Sequence, residues 1–294
     1  MPFYAKDETK NELVITASKR AKRPKVFGKK KVCPFDAGNE KLTPPAVLAL
    51  PNEKKWLVRV FENAFPALSR DKRFSGIPGP AFGDHEVIVE TNKHKDLFQN
   101  LSYHQTVMVF EAYKTRYAEL MKKPGVKSVF LFKNHGKTGG ASIEHEHSQI
   151  MAFPFVYPTL DSEEQAVAKS RHCPYCAMLK KKKTVFENKH FACVIPEGSR
   201  FPYETWLIAK RHVNAIDKLS DAEGEVLVMS LQEIIRRFYP LSPDYVIAFH
   251  SSKKNFHFHV EVYPRASVLA GAELGAGVTI NSRDPADVIA ALKK

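Results

Sequence analysis

An α+β chain carrying two tandem copies of one unit, each an antiparallel sheet backed by helices, is the fold this sequence predicts. Three observations lead there. Short motifs recur in the same order in both halves. Each half sets several β-rich runs around a single long helical pattern. No Gly-x-Gly-x-x-Gly follows a strand and no Walker-type lysine is present, so a doubly wound nucleotide fold is not expected.

The elements follow in order. The first copy opens on Cys33-Pro34-Phe35-Asp36 and continues with Val60-Phe61-Glu62-Asn63. A β-rich run around Val87-Ile88-Val89 then leads to His94, a helix is expected over residues 106–121, and Ser128-Val129-Phe130-Leu131-Phe132 reads as a strand. His145-Glu146-His147 closes the copy. The second copy repeats this as Cys173-Pro174-Tyr175-Cys176, Val185-Phe186-Glu187-Asn188, Trp206-Leu207-Ile208 running to His212, a helix over residues 221–238 with Ser220 as N-cap, a strand over 245–249, and His257-Phe258-His259. Chance produces single matches readily, but several in one order point to duplication. The expected domains are 1–165 and 166–294, joined through an exposed connection at Asp161-Ser162-Glu163-Glu164. Gly271, Gly275 and Gly277 read as a flexible C-terminal loop, and residues 285–292 as a terminal amphipathic helix.

With 294 residues, 44% of them apolar and 26% charged, the chain is long enough to bury a core unaided and is not a disordered or fibrous one. No apolar run approaches the roughly 18–20 residues of a membrane span. The N-terminus lacks the basic-then-apolar plan of a secretory signal, so the cytoplasm is the expected compartment. The four cysteines then read as thiols or metal ligands rather than a disulfide frame, Cys193 as a buried small hydrophobe. Lys and Arg outnumber Asp and Glu by 45 to 32, a formal +13 that suits phosphorylated ligands. The clusters at Lys19-Arg20-Ala21-Lys22-Arg23, Lys29-Lys30-Lys31 and Lys180-Lys181-Lys182-Lys183 carry no interleaved aromatics, so nucleic acid is not the expected partner.

The chemistry concentrates in His145-Glu146-His147-Ser148-Gln149. Extended backbone puts residues two apart on one face, so His145, His147 and Gln149 line up together, which makes a poor core and a good site. Upstream, Asn134-His135-Gly136-Lys137-Thr138-Gly139-Gly140-Ala141-Ser142 has the small residues of a phosphate-binding loop. A neutral imidazole attacks phosphorus when its other nitrogen donates to a backbone carbonyl. His147 is the candidate nucleophile, Gln149 the hydrogen-bonding neighbour for the phosphoryl oxygen, and Arg20 and Arg23 the cations. His145 can serve a metal with Cys33 and His94.

At these residues the sequence resembles the galactose-1-phosphate uridylyltransferases, a branch of the histidine-triad superfamily. The likeness runs from Arg20-Ala21-Lys22-Arg23-Pro24 to Ala270-Gly271-Ala272-Glu273. It implies two histidine-triad-like repeats and a ping-pong exchange of UMP between UDP-glucose and galactose 1-phosphate through a uridylyl-histidine at His147. By the same likeness Gln149 would hydrogen-bond the phosphoryl oxygen, Ser142 the phosphates and Asn134 the sugar or phosphate. Gly140, Ala141 and Ser148 would stand at the substrate, Asn63 and Phe65 at uridine, Arg20 and Arg23 at phosphate, and Glu273 at the hexose. A homodimer is implied, because family sites draw on two subunits. The alternatives are an adenylyl-transferring phosphorylase acting on ADP-sugars or dinucleoside polyphosphates, and a non-catalytic zinc-stabilised nucleotide- or RNA-binding module.

Two departures are visible. Asp36 stands where the family commonly has a second zinc cysteine, and Ser267 and Ala272 stand where some members place a lysine and a tyrosine around the hexose-binding glutamate. Zinc accepts carboxylate oxygen, so Cys33, Asp36, His94 and His145 remain the expected first site. The repeat itself proposes a second, Cys173, Cys176, His212 and His257. A competing set, carried over from family members with a second metal, is Glu163 or Glu164 with His250, His259 and Glu261. Glu261 in place of Gln149 makes the second half structural, contributing binding surface.

Overall fold

The computed structural model describes residues 1–10, 12–24, 32–181 and 183–294. Lys29, Lys30, Lys31 and Lys182 of the basic clusters lie outside them. The chain divides into two units, the first from residues 1–97, 108–131 and 142–163, the second from 98–107, 132–141 and 164–294. Both combine helices with antiparallel sheet, so the class is α+β.

In the first unit β1 (Phe3–Asp7) and β2 (Glu12–Thr16) pair antiparallel. Next come β3 (Ala46–Leu50), β4 (Val58–Glu62), β5 (Gly79–Pro80) and β6 (Asp84–Val89). Helix α1 (Tyr103–Lys122) and β7 (Ser128–His135) follow, each divided between the two units, then β8 (His147–Phe153) in the first and α2 (Pro158–Lys169), again divided. β5 adds to β1, while β3, β4, β6 and β8 lie side by side in that order. Val87 on β6 stands opposite Gln149 on β8, and Val89 opposite His147. Alternation along both strands therefore puts His85, Val87, Val89, His147 and Gln149 on one face, and Glu86, Ile88, Ser148 and Ile150 on the other. The first face carries an apolar bed of Cys33, Phe35, Trp56, Phe61 and Ile143. The second is sealed by α1: Arg116 Nε and Nη2 donate to Glu86 at 2.8 and 2.7 Å, and the hydroxyls of Tyr113 and Ser148 donate to Glu90.

The second unit continues with α3 (Pro174–Lys180), β9 (Thr184–Glu187), β10 (Phe191–Val194) and β11 (Thr205–Ala209). It ends with α4 (Asp221–Phe238), β12 (Tyr245–His250), β13 (His259–Pro264) and α5 (Pro285–Leu292). Its strands run β12, β13, β11, β10, β9, all antiparallel, with α4 packed on β10 and β11. Ser220 caps α4 in a full capping box, its Oγ accepting from the Glu223 N–H and its own N–H donating to Glu223.

Three expectations change. The two Phe-Glu-Asn segments are not equivalent: β4 lies between β3 and β6, whereas β9, among the described residues, is an edge strand paired with β10 alone. Strand order matches β3 to β9, β4 to β10, β6 to β11 and β8 to β13, so sheet position overrides a four-residue likeness. The connection at 161–164 is helical, because Leu160, Glu164 and Val167 recur at helical spacing and bury one side of α2. The glycine-rich tail holds a short π-helical turn at Ala272–Ala276, closed by Gly277 in the left-handed region. No helix among the described residues is long and apolar enough to cross a membrane.

Candidate active site and metal centres

A cleft opens on the apolar face of the first unit. Arg20, Arg23, Asn63, Phe65, Ser142, His147 and Gln149 all line it. Phe35 lies edge-on to His147, ring centroids 5.2 Å apart. Arg20 is anchored by a 2.8 Å bond from Nη1 to the Phe65 carbonyl, which keeps the guanidinium at the rim. Asn63 Oδ1 accepts the Phe65 N–H at 2.9 Å and fixes the turn carrying both residues.

His147 is the first residue of β8 and only 5% exposed. Its Nδ1 lies 2.7 Å from the His145 carbonyl. A carbonyl only accepts, so Nδ1 holds the proton and Nε2 of the neutral ring holds the lone pair. Two residues on, Gln149 Oε1 lies 3.0 Å from Nε2 of His85. An imidazole whose Nε2 carries the lone pair, in a cleft with an amide and two guanidiniums, is equipped to attack an anionic phosphorus centre.

Other expected residues fall elsewhere. Ser148 points to the opposite face of β8, fully buried against Glu90 and Tyr113, and does not line the cleft. Asn134, Gly140 and Ala141 belong to the second unit. The loop amides of Gly140 and Ala141 donate to the carbonyls of Lys137 and Gly136, both at 3.0 Å, and the Thr138 N–H donates to Asp244 at 2.8 Å. The glycines there serve the loop's own turns: Gly136 and Gly140 have φ of +74° and +84°, and a Cβ on Gly139 would overlap the carbonyl oxygens of His135 and Tyr245. Glu273 is partly exposed and accepts the backbone N–H groups of Ala270 and Ile280 at 2.9 and 3.2 Å, closing its own turn. Lys181 and Lys183 pair with Glu197 on the surface.

Two quartets of metal-ligating side chains assemble, one in each unit. In the first, Asp36 Oδ1 lies 2.8 Å from His94 Nδ1 and 3.0 Å from His145 Nδ1, with Cys33 Sγ 3.8 Å from the latter. His145 Nε2 is committed to the Thr91 carbonyl at 2.7 Å. Nδ1 thus faces the Asp36 carboxylate, a place that a second ring proton or a metal cation can fill. Burial favours the acid form of Asp36, but the hydrogen bonds with His94 and His145 outweigh it and hold the carboxyl below its usual range. Burial also pushes the Cys33 thiol up to about 11, so a thiolate there needs a neighbouring cation.

The second quartet repeats the device. His257 Nε2 bonds the Ala209 carbonyl at 2.6 Å and leaves Nδ1 at 3.5 and 3.4 Å from Cys173 and Cys176. His212 Nε2 bonds Asn255 Oδ1 at 3.1 Å, leaving its Nδ1 3.5 Å from Cys176. Burial pushes His257 down to about 4, which keeps it in the neutral form a metal requires. Both donor sets fit a tetrahedral divalent ion. Of the competing set, the second unit brings His250, His259 and Glu261 together, with Glu261 3.5 Å from His250 Nε2 and 3.6 Å from His259 Nε2. Glu164 turns instead to Ser252 Oγ and Lys254 Nζ, at 2.5 and 2.6 Å, and Glu163 falls in the first unit.

The family model for the N-terminal domain of galactose-1-phosphate uridyl transferase matches residues 8–156. Galactose-1-phosphate uridylyltransferase from Thermotoga maritima is 30% identical over 97% of this chain and 95% of its own. The chain belongs to the galactose-1-phosphate uridyl transferase family. Its members are nucleotidyltransferases, and the likeness spans more than one activity. The crystal structure of an ADP-glucose phosphorylase from Arabidopsis thaliana with bound ADP-glucose superposes with a TM-score of 0.84 at 29% identity, covering 100% of this chain and 99% of that one. A uridylyltransferase structure superposes equally well, with a TM-score of 0.84 at 25% identity over 100% and 98%.

Within this uridyl transferase-like architecture, the second copy of the His147 imidazole is closed off. His259 Nδ1 bonds the His257 carbonyl at 3.0 Å, as His147 does that of His145. Tyr175 stacks on the His259 ring at 4.3 Å, His250 stacks at 4.6 Å, and Trp206 and Phe256 complete the enclosure. Nothing of His259 is exposed. His85 is the residue that the sequence reading passed over. Its signal was a polar side chain in step with Val87 and Val89 on the site face of β6.

Proposed function

We propose that the protein transfers a nucleoside monophosphate from a nucleoside diphosphate hexose to a phosphate-bearing acceptor, through a covalent intermediate on His147. The 2.7 Å bond between His147 Nδ1 and the His145 carbonyl carries this reading, because it puts the ring's lone pair on Nε2 in a residue that lines the cleft. Nε2 attacks the α-phosphorus, the bond to the bridging oxygen breaks, and hexose 1-phosphate leaves. An oxygen of the acceptor phosphate then attacks the same phosphorus, and the P–N bond breaks to restore the imidazole. Gln149 donates to the non-bridging oxygen, Arg20 and Arg23 offset phosphate charge, and Asn63 with Phe65 meets the base. Ser142 and Asn134 contribute to the phosphate and sugar, and Glu273 to the hexose. Zinc in the two quartets holds the segments around His145 and His257 in place.

UDP-glucose with galactose 1-phosphate as acceptor is the first assignment, supported by the family match and the Thermotoga relative. ADP-glucose with inorganic phosphate is the second, supported by the phosphorylase likeness and by the absence of lysine and tyrosine at Ser267 and Ala272. Incubation with each nucleotide sugar, followed by mass spectrometry of the peptide holding His147, tests both. A uridylyl mark that galactose 1-phosphate removes supports the first, and an adenylyl mark that phosphate removes supports the second. No mark from either donor overturns covalent transfer.

A further inference from the structure

We propose that His85 is a positioning residue, whose locked neutral tautomer turns the Gln149 amide so that its NH₂ faces the phosphoryl oxygen. This rests on the assignment of nucleotidyl transfer to His147.

The geometry is one-sided. His85 is 4% exposed on the site face of β6, diagonal to Gln149 across the β6–β8 ladder. Its Nδ1 accepts the backbone N–H of Ala67 at 3.0 Å. A backbone N–H only donates, so that nitrogen is bare and the ring proton resides on Nε2. Nε2–H then donates to Gln149 Oε1 at 3.0 Å. An amide held by its oxygen presents its nitrogen elsewhere, and Gln149 lines the cleft that holds His147. Asn63 Nδ2 also approaches His85 Nε2, at 3.3 Å, but two donors make no bond. The Phe65 N–H bond to Asn63 Oδ1 keeps that amide turned with Nδ2, not its oxygen, toward His85.

Protonation would disturb this arrangement, since a proton on Nδ1 would face the Ala67 N–H. Burial and the nearby Arg20 and Arg23 oppose it and push His85 down to about 3, with the Gln149 bond a smaller opposing influence. Without the lock, Gln149 can rotate its oxygen toward the phosphate, where it repels instead of binding. The stake is one preorganised donor to developing negative charge.

Three variants separate positioning from mere packing. His85→Asn keeps an acceptor for Ala67 and loses the donor to Gln149. His85→Gln places an NH₂ where Nε2 was. Gln149→Ala removes the group on which His85 is said to act. Single-turnover formation of the nucleotidyl-His147 adduct, alongside the dissociation constant of the donor sugar, is the readout. His85→Asn should slow adduct formation by roughly ten- to hundredfold with little change in donor affinity. His85→Gln should restore most of the rate, and adding His85→Asn to Gln149→Ala should cost nothing further.

A wild-type rate in His85→Asn overturns the inference while leaving transfer through His147 intact. So does an equal slowing in the Gln149→Ala background. Absence of an adduct in the wild type overturns both. Nitrogen NMR of the wild-type ring gives a check that needs no variant. Proton on Nε2 and no titration between pH 8 and 5 is expected, and a proton on Nδ1 refutes the lock.

Discussion

The two copies share one backbone device and differ in what surrounds it. In each, a histidine before the last strand gives its Nε2 to a backbone carbonyl and turns Nδ1 toward the metal ligands, as His145 and His257 do. In each, the next histidine gives Nδ1 to the carbonyl two residues back, as His147 and His259 do. The first copy leaves this second ring beside a cleft lined by Arg20, Arg23 and Gln149. The second packs it under Tyr175, Trp206 and His250 and replaces the amide with Glu261. Orientation of the imidazole is therefore inherited, and reactivity comes from space and charge around it.

The largest expected effect tests that contrast directly. His147→Ala should eliminate the covalent adduct and lower turnover by at least roughly 10⁴-fold, the scale seen when a nucleophile is deleted. His259→Ala should leave the adduct intact, since no substrate reaches that ring. Adduct mass and turnover, measured on both variants, decide the matter. Loss of the adduct in His259→Ala would mean that the second ring takes part in transfer.

Gln149→Glu gives the first copy the second copy's residue. A carboxylate repels the phosphoryl oxygen and also loses the amide donor, so the transfer rate should fall by roughly 10²–10³-fold. Donor-sugar concentration series on the purified variant will show a fall in turnover beyond any change in apparent affinity. A variant as fast as the wild type would mean that Gln149 does not meet the reacting phosphate.

Much of this contrast was legible in the sequence, because duplication preserves order and spacing. The His-x-His pairs, the Cys-x-x-ligand turns and the Ser220 cap are local patterns whose meaning depends on few neighbours. What was not legible depends on pairing between strands. The equivalence of β4 with β10 rather than β9 is set by sheet position, and the match of Phe61 with Phe186 hid it. His85 acquires its role only when β6 lies beside β8 and brings it diagonal to Gln149. The glycines of the 134–142 loop permit a tight loop against Asp244 and Tyr245, with the amides of Gly140 and Ala141 donating to the loop's own carbonyls. Composition alone does not distinguish these uses.

The metal quartets differ by one donor, so exchanging it sharpens the comparison. Cys176→Asp gives the second quartet the cysteine, aspartate and two histidines of the first. Carboxylate oxygen is a poorer partner for zinc than thiolate, and zinc affinity there should fall by roughly ten- to hundredfold. Competition with a chromophoric chelator measures this. The thermal midpoint should drop by roughly 3–10 °C as the ion contributes less to folding. Unchanged affinity would mean that Cys176 is not a ligand.

The smallest effect concerns helix caps. Ser102 accepts the Gln105 N–H at 3.3 Å at the start of α1, and Ser220 accepts the Glu223 N–H at 3.2 Å at the start of α4. Only the second cap carries a carboxylate at its third residue, and that group also binds Arg211 through two 2.8 Å bonds. The Arg211 hydrogen bond, opposed by burial and aided by Ser220, pushes Glu223 down to about 2. A folded-state pKa below the unfolded one means that the ionised form stabilises the fold. That contribution is present above about pH 5 and disappears as pH falls toward 2. Arg211 is half exposed, so solvent screening leaves roughly 1–2 kcal/mol of it. Glu223→Gln should lower stability by that amount at neutral pH and by only about a quarter of it at pH 2.5. Denaturant unfolding of both proteins at the two pH values tests this. A Glu223→Gln deficit that persists undiminished in acid would assign the cap's worth to geometry rather than charge, making the two helices' caps equivalent after all.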